Sequence, residues 1–180
     1  DTCCIKPTHS CGEVILRKDG EAIDRQDIKD WLSLNYYDTS REANYRYLEP
    51  KIIVEELLFN SKEAYDYKIH CNGGKATMIT VHVDKRGNEM RARYDVDWTL
   101  QDYCIDAIPF VGTIERPKNL DQMLLAAEQI AKHFSFIRVD IYTDDNDFYI
   151  GEITNCPGSA NASIQPEIAL TKLSKLVFGS

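Results

Sequence analysis

Apolar positions along this chain recur mostly with the two-residue period of half-buried strands, and three stretches carry the 3.6-residue period of a helix. Ile5 and residues 14–16 predict two strands, with residues 7–12 as the loop between them. Residues 24–34 have helical spacing, with Ile28, Trp31 and Leu32 on one face. Residues 35–49, rich in Tyr and Arg, predict irregular chain with a helical turn. Residues 51–58 form a dense apolar strand around Ile52, Ile53 and Val54 that closes on Glu55 and Glu56. Residues 65–71 predict another strand. Asn72-Gly73-Gly74-Lys75 predicts a hairpin turn, because glycine tolerates positive φ. Residues 76–83 return as a strand of alternating character, and residues 90–95 predict a further one. Pro117 and Asn119 open a helix that runs to about His133, with Met123, Leu124, Ala127, Ile130 and Ala131 on one face. Pro166 stands near the start of a final helix carrying Ile168, Leu170, Leu173, Leu176 and Val177. Several antiparallel strands with few helices define an α+β class.

One pair of predicted strands stands out. Residues 136–142 and 148–155 are apolar runs joined by the acidic turn Asp144-Asp145-Asn146-Asp147, and each carries one carboxylate, Asp140 and Glu152. The two lie an even number of positions apart. If the connecting loop holds an odd number of residues, they sit directly opposite, with Cβ atoms about 5 Å apart. Two like charges that close are unfavourable unless something neutralises them. Mg2+ does so with hard oxygen ligands, commonly one or two carboxylates completed by substrate phosphates. The alternative is that one carboxylate points to solvent and nothing is bound.

Composition narrows the picture. The 180 residues suit one domain, and a 43% hydrophobic fraction is ample for a core. A net charge of −8 argues against a general nucleic-acid or anionic-membrane surface, while leaving room for a local basic site. No apolar run approaches the roughly 20 residues of a membrane span. Cys3, Cys4, Cys11, Cys71, Cys104 and Cys156 are irregularly spaced and contain no CxxC pair, so they read as reduced cytoplasmic thiols rather than a disulfide framework. The chain opens in strand-like sequence without an initiator Met, which suggests a trimmed segment.

Other residues carry possible chemistry. Lys6 is followed by the small-residue loop Pro7-Thr8-His9-Ser10-Cys11-Gly12, which could offer N–H groups and hydroxyls to a phosphate beside the Lys charge; it is not a Walker A motif. Glu55 and Glu56 are two acids at the end of a strand expected to be buried; either the strand reaches the surface there, or one faces solvent and the other accepts from a ligand. Asp66 and Lys68 share a strand face, either as an ordinary ion pair or as contacts to ribose and phosphate. Arg91 and Arg93 also share a face, and their guanidinium forks match carboxylates and phosphates. The four histidines have no metal-ligand spacing, and no nucleophile elbow is present, so hydrolysis has no positive support.

The serial order of these pieces resembles the ATP-grasp superfamily, and the wording is closest to the TupA-like ATP-grasp family, linked to teichuronopeptide and other surface-polymer synthesis. The runs that carry the resemblance are Ile5-Lys6-Pro7-Thr8-His9, residues 51–57, Asp66-Tyr67-Lys68, Arg91 with Tyr94-Asp95, Arg138-Val139-Asp140-Ile141-Tyr142, and Gly151-Glu152-Ile153-Thr154 with Pro157-Gly158. The resemblance implies an ATP-grasp fold of two α+β subdomains dividing near residues 57–65, holding ATP and Mg2+ and lacking the family's N-terminal segment. It implies that Lys6, with His9, Ser10 and Gly12 of the loop, contacts ATP phosphates. Glu55, Glu56 and Leu57 would border the adenine. Asp66 and Lys68 would lie near ribose or phosphate. Asp140 and Glu152 would bind Mg2+, with Thr154 or Asn155 beside them. Arg91 and Lys68 would stabilise phosphoryl charge or a substrate carboxylate.

The sequence departs from the family pattern at two places. Thr154 stands where Asn commonly follows the metal-binding Glu, and the phosphate loop keeps only Gly12, with Glu13 next to it. The expected activity is ATP- and Mg2+-dependent carboxylate–amine ligation through an acyl phosphate, acting on a small molecule or polymer precursor. The rivals are a kinase or glycosyltransferase-like enzyme of polysaccharide synthesis, and a nucleotide-binding module without catalysis.

Overall fold

In a computed structural model, residues 2–60, 65–83, 90–110, 112–160, 162–167 and 169–178 are described. The chain divides into two compact units, Asp1–Glu63 and Ala64–Ser180.

The first unit is a three-stranded antiparallel sheet with short helices. β1 (Cys3–Pro7) lies in the middle, flanked by β2 (Ile15–Arg17) and β3 (Ile52–Glu56). Between β2 and β3 run α1 (Arg25–Ser33), α2 (Tyr36–Ser40) and a 3-10 turn at Ala43–Tyr45. Asp24 caps α1, its carboxylate accepting from the Gln26 N–H at 2.7 Å. The apolar face expected of this helix is only half realised. Ile28 and Trp31 are half-buried and Leu32 is exposed. Residues 51–58 require a correction too. β3 is an edge strand rather than a buried one: Val54 is 63% exposed, because only one side of β3 is paired, to β1.

The second unit is built on a six-stranded sheet of order β10-β9-β4-β5-β6-β8. Its strands are β4 (Tyr65–Asn72), β5 (Lys75–His82), β6 (Met90–Tyr94), β8 (Ile108–Pro109), β9 (Phe136–Thr143) and β10 (Phe148–Thr154). A two-residue strand, β7 (Cys104–Ile105), pairs instead with β11 (Ile164–Gln165). All pairings are antiparallel except β6 with β8. Gly73 and Gly74 turn β4 into β5 at φ of 55° and 80°, conformations costly for any residue with a Cβ.

Strand alternation sorts the sheet into two faces. Tyr67, Ile69, Cys71, Ile79, Val81, Ala92, Tyr94, Ile137, Val139 and Ile141 form one core with Leu120, Met123, Ala127 and Ala131 of α3 (Leu120–Ala131). At the far face Met78 packs with Tyr103 and with Ala169 and Leu173 of α4 (Ala169–Phe178), next to Ile105 and Ile164. Of the other residues expected on α4, Leu170 is exposed, and Ile168 and the side chains of Leu176 and Val177 lie outside the described residues. The rest of that face, away from Met78, carries charge instead of aliphatic groups.

Candidate functional site

The acidic turn between β9 and β10 is structural. Asp144 Oδ1 accepts from the N–H groups of Asn146 and Asp147, both at 2.9 Å, which holds the Asp144 carboxyl below the usual range. Asn119, at the start of α3, donates from Nδ2 to Thr143 Oγ1 at 2.8 Å and so ties the turn to the helix.

Residues 144–147 are an even-numbered loop, so the condition expected to bring the two carboxylates face to face is not met. They are nonetheless cross-strand partners. The register is Ile150 with Ile141, then Glu152 with Asp140, leaving Gly151 as a bulge. The bulge inserts one residue and restores the parity that the turn breaks. Glycine is required by space here: a Cβ at residue 151 would run into the Tyr142 ring.

Asp140 is the hub of the charged face. Directly opposed residues run across five strands as Glu152, Asp140, Lys68, Thr80 and Arg93, one strand to the next at about 5 Å. A parallel row runs Thr154, Arg138, His70 and Met78, and another runs Tyr142, Asp66, His82 and Arg91. Asp140 is 2% exposed. Its Oδ1 accepts from Arg138 Nε at 2.6 Å, and its Oδ2 accepts from Arg138 Nη2 at 2.8 Å and from Lys68 Nζ at 2.5 Å. Lys68 also pairs with Asp66 Oδ2 at 2.9 Å. Arg138 Nη2 reaches Thr154 Oγ1 at 3.0 Å and Glu152 Oε1 at 3.4 Å, and Thr154 Oγ1 donates to Glu152 Oε1 at 2.5 Å. The repulsion expected between Asp140 and Glu152 is therefore relieved by two cations of the chain itself.

The protonation states follow. Burial pulls the Lys68 ammonium down, but Asp66 and Asp140 more than offset it and hold its pKa above the ordinary lysine value. Burial likewise opposes the Arg138 charge, and Asp140 and Glu152 overcome it. Desolvation, with Arg138, Arg93 and Lys68 close by, pushes His70 down to about 3, so its ring adds no charge at neutral pH.

Two atoms near this lattice lack partners among the described residues: Asp66 Oδ1 and Arg93 Nε, both buried. Arg93 is 2% exposed and donates to the Ile105 carbonyl at 3.1 Å and to Cys104 Sγ at 3.6 Å, while the Cys104 thiol donates to the Ala107 carbonyl. Burial pulls the Arg93 pKa down. Arg91, singled out by sequence, donates to the same Ile105 carbonyl at 3.2 Å from the outer row. Arg93, not Arg91, lies in the row of Lys68 and Asp140.

The remaining expected contacts belong to the first unit. Lys6 pairs with Glu55 across β1 and β3 at 2.5 Å. Glu56 is exposed at the end of β3, and Leu57 is half-buried just beyond it. In the loop, Gly12 adopts φ 102° with open space around its α-carbon, and Ser10 Oγ donates to Glu13 Oε2 at 2.7 Å. His9 is turned inward instead of toward a ligand. It is 3% exposed, and its Nε2 donates to the Trp31 carbonyl at 2.8 Å, so it pins the loop to α1.

Hard oxygens of Asp140 and Glu152, with the unpartnered Asp66 Oδ1 close to the same cations, suit Mg2+. Among the described residues no group of three or more His, Cys, Asp and Glu side chains gathers as a metal cluster. Thr154 touches Glu152 as a hydrogen-bond donor, and Asn155 lies one residue past the end of β10, out of the register that carries Glu152. Sequence reading missed the part played by Arg138, whose spacing of two from Asp140 is the signal that puts both on one face.

This antiparallel α+β architecture, with a charged sheet face carrying opposed carboxylates and two cations, is the ATP-grasp fold. The chain belongs to the TupA-like ATP-grasp family, whose profile (TupA-like ATPgrasp) matches residues 1–173. Among solved structures it is similar to the D-alanine–D-alanine ligase from Bacillus anthracis complexed with ATP, at 17% identity and a TM-score of 0.50 over 98% of this chain and 50% of that one. The ATP-grasp ligase PsnB complexed with minimal precursor, Mg and ADP also matches, at 15% identity and a TM-score of 0.40 over 85% of this chain and 38% of that one. The chain thus spans about half the length of the D-alanine–D-alanine ligase. No curated protein matches the sequence significantly. Among the described residues no helix is long and apolar enough to cross a membrane.

Proposed function

We propose that this chain is the nucleotide-binding part of an ATP- and Mg2+-dependent ligase that joins a carboxylate to an amine. The observation that carries the reading is the row Glu152–Asp140–Lys68, with Arg138 bound to both carboxylates. A polyphosphate needs clustered cations, and a magnesium ion needs opposed hard oxygens; the second unit holds both on one sheet face. The similar D-alanine–D-alanine ligase is complexed with ATP, in agreement with this assignment.

Asp140 and Glu152 would hold the metal, which when bound supplies positive charge against the phosphate oxygens. Lys68, Arg138 and Arg93 would bind and orient the phosphates, with Arg91 at the border for a substrate carboxylate. Asp66 would accept from a ribose hydroxyl or a metal-bound water through its unpartnered Oδ1. In the first unit Lys6, Ser10 and the open backbone at Gly12 are assigned to phosphate, and Glu55, Glu56 and Leu57 to the base. The reaction is transfer of the γ-phosphoryl group of ATP to a carboxylate oxygen, releasing ADP. An amine then attacks the acyl carbon, the C–O bond to phosphate breaks, and phosphate leaves. Positioning and charge neutralisation supply the catalysis, since phosphoryl transfer asks little covalent help of the protein. A surface-polymer precursor is the proposed substrate class, and a cytoplasmic setting suits the six free cysteines.

The test is ATP turnover by the full-length protein with a panel of carboxylates, with hydroxylamine as the amine. Carboxylate-dependent ADP release with a hydroxamate product supports the acyl phosphate. A stable phosphorylated product that hydroxylamine does not intercept would show a kinase, and nucleotide binding without ADP release a binding module.

A further inference from the structure

Both carboxylate oxygens of Asp140 accept hydrogen bonds from cations of the chain itself. Oδ1 is held by Arg138, and Oδ2 by both Arg138 and Lys68, at 2.5–2.8 Å. Glu152 Oε1 is engaged by Thr154 and Arg138. A divalent cation arriving alone must settle on a nearly buried carboxylate beside the two protein cations already bound to it. That is unfavourable for each of the three cations, because like charges at such distances repel strongly where water is scarce. A polyphosphate changes the exchange. It offers Lys68 and Arg138 new anionic partners, and so frees Asp140 and Glu152 for the metal.

We infer that Lys68 and Arg138 act as a charge latch on the metal-binding carboxylates, which makes metal and polyphosphate bind cooperatively and keeps metal alone from binding well. The inference rests on the assignment of Asp140 and Glu152 to a metal. Its residues are this chain's own, and its consequence is thermodynamic: if polyphosphate strengthens metal binding, metal strengthens polyphosphate binding by the same factor. Three carboxylates, Asp66, Asp140 and Glu152, share this face with the two cations. Each group has a partner that the incoming ligand can replace one for one.

The distinguishing prediction is a gain of function on disabling the latch. Mn2+ alone, titrated by the loss of its free-ion electron paramagnetic resonance signal, should bind wild-type protein weakly. Arg138→Gln, which removes the cation from both Asp140 and Glu152, should bind Mn2+ alone more tightly by about tenfold or more, within the usual range of coupling factors. Lys68→Met, which removes one of the two donors to Asp140 Oδ2 while Arg138 remains, should show a smaller gain in the same direction, and it keeps the test available if Arg138→Gln does not fold. Both variants should lose affinity for a non-hydrolysable ATP analogue with Mg2+. Unchanged or weaker Mn2+ binding in the folded variants overturns the latch, even if wild type binds the ATP analogue. A gain in Mn2+ binding without any binding of the ATP analogue to wild type upholds the latch and rejects the nucleotide reading.

Discussion

Asp140 faces Glu152 across β9 and β10 because Gly151 bulges out of register between them. Without the bulge, the even turn would pair Asp140 with residue 151 and move Glu152 off the charged face. A side chain at 151 meets the Tyr142 ring. Gly151→Ala should therefore cost about 1–3 kcal/mol in urea unfolding, as overpacking does. It should also weaken Mg2+-dependent nucleotide binding. Tyr142→Ala in the same chain should recover part of both losses, since the obstructing group is a side chain. No recovery would place the strain in the backbone instead.

The ion-pair lattice predicts asymmetric losses of stability. Asp140→Asn removes the buried carboxylate between the half-buried cations Lys68 and Arg138 and should destabilise by about 3–5 kcal/mol, as breaking a buried pair does. Lys6→Ala breaks a half-exposed pair with Glu55 and should cost about 1 kcal/mol or less. If Lys6 contacts phosphate, that variant should nonetheless bind nucleotide more weakly. Chemical denaturation and calorimetric titration of the same preparations separate the two effects.

His70 predicts a pH dependence. Its folded-state pKa is depressed from 6.5 to about 3, so between those values the unfolded chain binds a proton that the folded one refuses. Stability must then fall as pH drops through that window. His70→Gln removes this contribution and should flatten the acid limb of stability against pH. An equally steep limb in the variant would assign the acid sensitivity to carboxylates alone.

Much of this architecture is legible in the order of residues. The Gly73-Gly74 hairpin, α3 and the β9–β10 pair follow from strong local signals: glycine turn chemistry, a 3.6-residue period, and β-branched runs bounded by an acidic turn. Asp66 with Lys68 and Arg91 with Arg93 share faces for the simple reason that strands alternate. Register is different. The room for a side chain at the Gly151 bulge depends on where the Tyr142 ring lies, which no local pattern encodes. Nor does periodicity reveal that Arg93 falls in the row of Asp140 while Arg91 falls one row away, because that needs three strand pairings at once. His9 has the composition of a ligand-binding loop residue, and only the packing of α1 turns it inward. The exposure of Val54 follows from its place on an edge strand, whereas an apolar run reads the same at an edge or in the middle.

The central claim is that Asp140 and Glu152 hold magnesium against nucleotide phosphates. Calorimetric titration of a non-hydrolysable ATP analogue, with and without Mg2+, into wild-type protein and Glu152→Gln tests it most directly. Glu152 is exposed and, among the described residues, its side chain makes one long contact to Arg138 besides Thr154, so the substitution should leave the fold intact. Mg2+ should strengthen binding to wild type, and most of this gain should disappear in Glu152→Gln while metal-free binding stays nearly the same. An equal Mg2+ effect in the two proteins would contradict it.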